Sequence, residues 1–195
     1  MTKAEARRLA KSRIAKMSEA EKEWASGAIT DALTSLDAFR KCKSPFVFLS
    51  SPEEPDTHEI VGLLLALEKN VSVPRVRGGE MDAVAITPYS DFRTNKWGIL
   101  EPAGGRLAID CDLAIVPMVA FDGLKRAGHG KGYYDKFFAE HPDCKKIGIA
   151  FDCQRVEGLE CEAHDVMMDA VVTEKDIIPA PKVAVKNQFG GEECE

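Results

Sequence analysis

Three alternate glycines, Gly128, Gly130 and Gly132, lie between Arg126 and Asp135 in the run KRAGHGKGYYD. Glycine lets a backbone approach an anion closely and turn its N–H groups toward it. Arg126 and Lys131 add full charges on the same stretch, and a guanidinium can hold phosphate oxygens in pairs. Tyr133 to Glu140 reads as a helix, whose N-terminus would aim a partial positive charge at the same point. A phosphate cradle is the chemistry this combination serves; a flexible surface turn with incidental charge is the plain alternative. The run is neither GxxxxGK[ST] nor the first turn of a dinucleotide-binding unit, because it falls late in the chain.

Around this loop the pattern is one of alternating strands and helices. Leu113 to Val116 is an apolar strand stopped by Pro117. Lys3 to Met17 is a basic helix with Ala6, Leu9, Ala10, Ile14 and Met17 at near-helical spacing. Ser18 and Glu21 form a capping box for a second helix, with Trp24, Ala28, Ile29, Leu33 and Leu36 expected on its buried side. Phe46 to Leu49 is a short buried strand, and Asp56 or Thr57 can cap a helix that turns Ile60, Val61, Leu64 and Leu65 inward. Val71 to Val73, ending at Pro74, and Ala83 to Ile86, Ile147 to Phe151 and Ala170 to Val172 complete the strands. This order predicts an α/β fold, a three-layer α/β/α arrangement around a mostly parallel sheet. A single domain over residues 1–195 is expected, with a frayed tail from Pro179.

Composition narrows the function classes. The 195 residues are 45% hydrophobic and 30% charged, ordinary for a globular protein. No apolar run approaches the roughly 20 residues of a membrane span. The charged N-terminus does not read as a secretory signal, which implies a cytoplasmic protein. Six cysteines without a CxxC pair are then expected to be reduced thiols. Cys161 and His164 supply half a metal site with no second half in view. The net charge of -6 argues against nucleic-acid binding but leaves room for a local anion site.

FDGLKRAGHGKGYYD resembles the segment FDxxGxRLGRGxGYYD of 5-formyltetrahydrofolate cyclo-ligases, also called methenyltetrahydrofolate synthetases. Other landmarks follow in order. Lys3 and Arg7 resemble the family's KxxxR, and Phe48-Leu49-Ser50 with Glu54 and Thr57 its strand and ExxT turn. Val73-Pro74-Arg75, the pair Trp97-Gly98-Ile99 and Glu101-Pro102, and the HDVMMD run with Asp165 and Asp169 resemble later family segments.

The resemblance implies a ligase that joins ATP and magnesium chemistry to folate: 5-formyltetrahydrofolate becomes 5,10-methenyltetrahydrofolate as ADP and phosphate form. It implies that Lys3, Arg7, Arg126, Lys131 and the amides of Gly128, Gly130 and Gly132 contact ATP, with His129, Tyr133 and Tyr134 beside them. Arg126, Lys131 and Tyr133 carry catalysis in this scheme. Asp135 and Asp165 are the magnesium candidates, and Leu49, Glu54, Trp97, His129 and Tyr133 line the folate site. A monomer working on small molecules is expected, without membrane or nucleic-acid partners. The chain departs from the family pattern at Ala127 and at His129, where an arginine is usual. Histidine ordinarily titrates at about pH 6.5, so anion contact there is expected to weaken or become pH-dependent, and an arginine restored at 129 to help at pH 8. The rival implied by His129 is a non-catalytic paralogue that sequesters folate; a different phosphotransfer enzyme ranks behind it.

Overall fold

Along the central strands apolar side chains alternate between two faces, and this alternation builds a core on each side of one sheet. The computed structural model describes residues 1–95 and 98–179. Trp97 and the tail beyond Pro179 lie outside the described residues. The chain opens with helices α1 (Lys3–Ile14), α2 (Glu19–Ser35) and α3 (Asp37–Lys41), then strand β1 (Pro45–Val47) and helix α4 (His58–Ala66). Strands β2 (Ser72–Arg77), β3 (Glu80–Ala85), β4 (Phe92–Thr94), β5 (Leu100–Pro102), β6 (Leu113–Pro117), β7 (Ala120–Asp122) and β8 (Lys125–Ala127) follow. Helix α5 (Tyr133–Glu140) precedes β9 (Lys145–Ile149), β10 (Ala170–Val172) and β11 (Ile177–Pro179).

The main sheet has the order β11-β10-β9-β6-β1-β2-β3. Its five inner strands are parallel, while β3 and β11 join antiparallel at the edges. Val47, Leu113, Ile115, Ile149 and Val172 face a layer made by Ile29 and Leu33 of α2, Phe39 of α3, and Ile60 and Leu64 of α4. Phe46, Ala114, Val116 and Val171 face the other way, toward Phe137 and Phe138 of α5. Phe46 stacks on Phe137 at 4.6 Å between ring centroids. Helices therefore cover both faces of a mostly parallel sheet, as the alternating pattern predicts.

Three expectations need correction. Trp24 is not on the buried side of α2; it is 67% exposed, because the inward stripe runs through Ala25, Ile29 and Leu33 instead. Pro74 does not end its strand: β2 runs through it and pairs Pro74 with Ala83. Ile86 N–H donates to Val71 O, so by two-residue alternation the Pro74 nitrogen faces the β1 side, where pairing is confined to Phe46 and Ser72. The lost donor costs no ladder bond there. Finally, Cys111 and Cys144 are joined as a disulfide rather than standing as free thiols. Register brings them together, since β6 and β9 pair Leu113 with Lys145 and the two cysteines lie just before those residues. Cys42, Cys153 and Cys161 are free.

Candidate active site

The glycine-rich run lies at the C-terminal end of β6, where α/β sheets commonly place ligands. After Pro117 the chain forms the β7–β8 hairpin, turning at Gly123 with φ 59°, and Arg126 sits near its end. That hairpin was not expected; the glycine that opens its two-residue loop, Gly123-Leu124, is its signal in the sequence. The loop then passes into α5 through Gly130 (φ 88°) and Gly132 (φ 68°), both in the left-handed region that favours glycine. Gly128 serves differently. A Cβ there would stand 2.6 Å from Nη1 of Arg126, so its bareness makes room for the guanidinium.

Arg126 is well fixed. Its side chain is nearly buried, with the guanidinium 5.4 Å from the Tyr134 ring centroid. It donates to Pro117 O at 3.4 Å and to both Asp135 oxygens at 3.3 and 3.4 Å. Burial, and next the Glu54 charge, push the Tyr134 phenol far above its ordinary range, with Arg126 opposing. Tyr134 thus stands as a neutral ring packed against Arg126, Phe46 and Phe138.

Two more cations come from the other end of the sequence. Thr2 and Glu5 form a capping box that starts α1 ahead of Lys3. Ala6 and Ala10 are fully buried against Ala120, Ala127, Val156 and Leu159, and their small size lets α1 lie close to the β7–β8 hairpin. Lys3 and Arg7, four residues apart, then share one helix face. Arg7 Nε donates to Gly128 O at 2.5 Å. Lys3 Nζ donates to Asp165 at 2.6 Å and Glu162 at 2.9 Å. Burial alone would lower the Lys3 pKa, but hydrogen bonds and charges from Asp165 and Glu162 raise it overall. Burial would likewise raise Asp165, and the Lys3 hydrogen bond, a Glu162 backbone donor and nearby charge carry it below its ordinary value.

These groups line one cavity of about 500 Å³, together with His129, Lys131, Tyr133, Glu162 and His164. The Lys131 ammonium has no partner among the described residues. Glu162 carried no signal in the sequence, and His164 was noted only with Cys161. Of the metal candidates, Asp135 has only long contacts, the two with Arg126 and one from Val166 N–H at 3.4 Å. It lines the cavity and its oxygens retain lone pairs, which suits a hard cation. Asp165 is more fully engaged, by Lys3 and by Glu162 N–H at 2.7 Å. Glu162, His164 and Asp165 bring ligand atoms within 4.8 Å of one another, but the Lys3 ammonium already bridges the two carboxylates.

A second cavity of about 860 Å³ adjoins, lined by Ser50, Ser51, Glu54, Asp56, His58, Gly98 and Leu100 and by the polar side of α2. Buried Thr57 shapes its wall: its hydroxyl donates to Phe48 O at 2.7 Å and accepts from Ser50 N–H at 3.1 Å. The turn so formed presents Glu54, whose Oε2 accepts from Ser51 N–H and Oγ at 2.8 and 2.9 Å. Glu54 Oε1 lies 3.1 Å from His129 Nε2. That contact joins the two cavities, since His129 lines the first and Glu54 the second. Leu49 is buried in the core and lines neither. Asp169 accepts from Lys146 N–H of β9 at 2.7 Å.

The model of the 5-formyltetrahydrofolate cyclo-ligase family matches residues 1–174. The chain belongs to that family. It is thus a ligase by descent, as the loop motif implied. A Caenorhabditis elegans protein named "Probable 5-formyltetrahydrofolate cyclo-ligase" is 31% identical over 195 residues, covering 90% of this chain and 94% of its own. The Escherichia coli 5-formyltetrahydrofolate cyclo-ligase is 34% identical over 137 residues, 65% of this chain and 75% of that one. Among solved structures, the Aquifex aeolicus 5,10-methenyltetrahydrofolate synthetase superposes with a TM-score of 0.81 at 30% identity, over 95% of this chain and 98% of that one. No helix among the described residues is long and apolar enough to cross a membrane.

Proposed function

We propose that this protein converts 5-formyltetrahydrofolate and ATP to 5,10-methenyltetrahydrofolate, ADP and phosphate, with magnesium. The observation that carries this reading is the convergence of Lys3, Arg7, Arg126 and Lys131 on one cavity that touches a second at His129 and Glu54. A phosphate donor in the first and a folate in the second would meet at that junction.

An N-formyl group resembles an amide, and its oxygen leaves poorly. Transfer of the terminal phosphoryl group to that oxygen makes it a phosphate ester, activating the carbon for attack by N10 of the folate. Phosphate then departs as the ring closes. Catalysis of such a transfer is largely positioning and stabilisation of spreading negative charge. Arg126 and Lys131 supply the opposing positive charge from the loop, and Lys3 and Arg7 from α1. The N-terminus of α5 and the loop amides add donors without moving. Asp135 would hold magnesium, with Asp165 joining if Lys3 turns toward the phosphates; the ion would neutralise phosphate charge. Glu54 Oε1 keeps lone pairs for the N–H groups of a pterin. Tyr133 lines the cavity wall where the two substrates would meet.

The test is the absorbance of the methenyl product formed by purified protein. Product that requires ATP and magnesium together, and fails in Asp135→Ala, supports the reading. Folate binding by calorimetry without turnover would replace it with the sequestering paralogue.

A further inference from the structure

His129, a group that can accept a proton, stands where the two cavities join. Its side chain is 55% exposed, whereas that of Glu54 is 9% exposed. An ionised carboxylate only accepts hydrogen bonds, so a neutral imidazole beside Glu54 Oε1 carries its proton on Nε2. The lone pair is then on Nδ1, which has no partner among the described residues. Ser51 holds the other Glu54 oxygen twice, fixing the plane against which the ring is set. A carboxylate that orients a histidine is the arrangement of a general base. The charged groups around His129 are Glu54, Arg7, whose guanidinium packs beside Gly130, and, lining the same cavity, Lys3, Arg126, Lys131, Asp135, Asp165 and Glu162.

Resting on the cyclo-ligase reading, we propose that His129, oriented by Glu54, takes the proton that N10 loses on ring closure. The N10 lone pair forms the bond to the phosphorylated carbon, and the N10 proton passes to Nδ1 of His129. The N5 lone pair then expels phosphate as the carbon–oxygen bond breaks, leaving the methenyl cation. The imidazolium returns its proton to solvent, and nothing is oxidised or reduced. An arginine cannot take this proton, so the benefit expected of arginine at 129 turns into a loss.

Single-turnover rates of methenyl formation test the step, measured against pH in wild type, His129→Gln and His129→Arg. An exposed side chain keeps folding out of the comparison. Both variants should react roughly 100-fold more slowly or worse, the scale of a lost general base. Wild type should lose rate in acid, and both variants should lack that loss. Added imidazole should restore His129→Gly in proportion to its free base. Variants as fast as wild type, or with its pH profile intact, overturn the step alone. A wild-type protein that forms no methenyl product overturns the cyclo-ligase reading, and this step with it.

Discussion

Gly128→Ala separates function from stability at a single methyl group. The new Cβ would fall 2.6 Å from Nη1 and 3.3 Å from Cζ of Arg126. The clashing atoms are the far end of a flexible side chain, so the guanidinium can swing away and the backbone need not move. Gly128 is not among the left-handed glycines, so alanine fits its conformation. Replacing glycine at a compatible site stabilises a fold by about 0.4–1 kcal/mol through the unfolded chain. Loss of the Arg126–Asp135 contacts works against that gain, so the melting temperature should move by only a few degrees for a chain of this size. Function should suffer. Displacing Arg126 takes it off the Tyr134 ring and Asp135 and away from the phosphate position. Hydrogen bonds to charged groups contribute about 1.5–3 kcal/mol. That corresponds to a rise of roughly 10- to 150-fold in KM for ATP. Thermal melts alongside initial rates at varied ATP provide both readings. An unchanged KM would refute the placement of Arg126 over the cradle.

Other perturbations reach different parts of the fold. Gly148→Ala should do the reverse of Gly128→Ala, because its Cβ would meet Met118 Sδ at 2.6 Å and Met168 Cγ at 3.2 Å in the core; overpacking should cost about 1–3 kcal/mol in urea unfolding with KM for ATP unchanged. An unaltered midpoint would contradict that packing. Cys111–Cys144 closes a loop holding the whole cradle, with a sequence separation of 33, so reduction should cost about 3–4 kcal/mol by loop-closure entropy. Equal urea midpoints with and without reductant would deny the bond a stabilising role. Asp165 is lowered, so its contribution is present above its unfolded value of about pH 4 and fades as pH falls through the lower folded value. Lys3 is raised, so its share is complete below about pH 10.5 and is lost as pH climbs through the higher folded value. The stability gap between wild type and Asp165→Asn should thus narrow in acid, and a gap constant with pH would count against the ion pair.

Local signals told where elements begin, while long-range contacts decided what meets what. The helix expected over Tyr133 to Glu140 forms with those bounds, because glycine ends where apolar periodicity starts. Ser18 and Glu21 cap α2 as their spacing implies. Lys3 and Arg7 could be paired by their four-residue spacing, but their meeting with Gly128 and Asp165 depends on the Ala6–Ala10 face docking on the β7–β8 hairpin. Nothing near residue 3 encodes that partner. Trp24 shows the converse error: helical spacing allowed it inside, yet Ala25, Ile29 and Leu33 make a better continuous stripe and rotate it outward. The two cysteines were read as independent because their proximity comes from strand register, which spacing along the chain does not reveal. His129 was visible as a departure from the family pattern, but its link to Glu54 spans 75 positions and needed the fold.

The most direct test follows the formyl oxygen itself. With 5-formyltetrahydrofolate labelled by oxygen-18 in the formyl group, turnover in ordinary water with unlabelled ATP should place one labelled oxygen in each phosphate released, as methenyl product forms in equal amount. Unlabelled phosphate accompanying methenyl product would contradict phosphorylation of the formyl oxygen, and with it the chemistry proposed for the cavity between α1 and the glycine-rich loop.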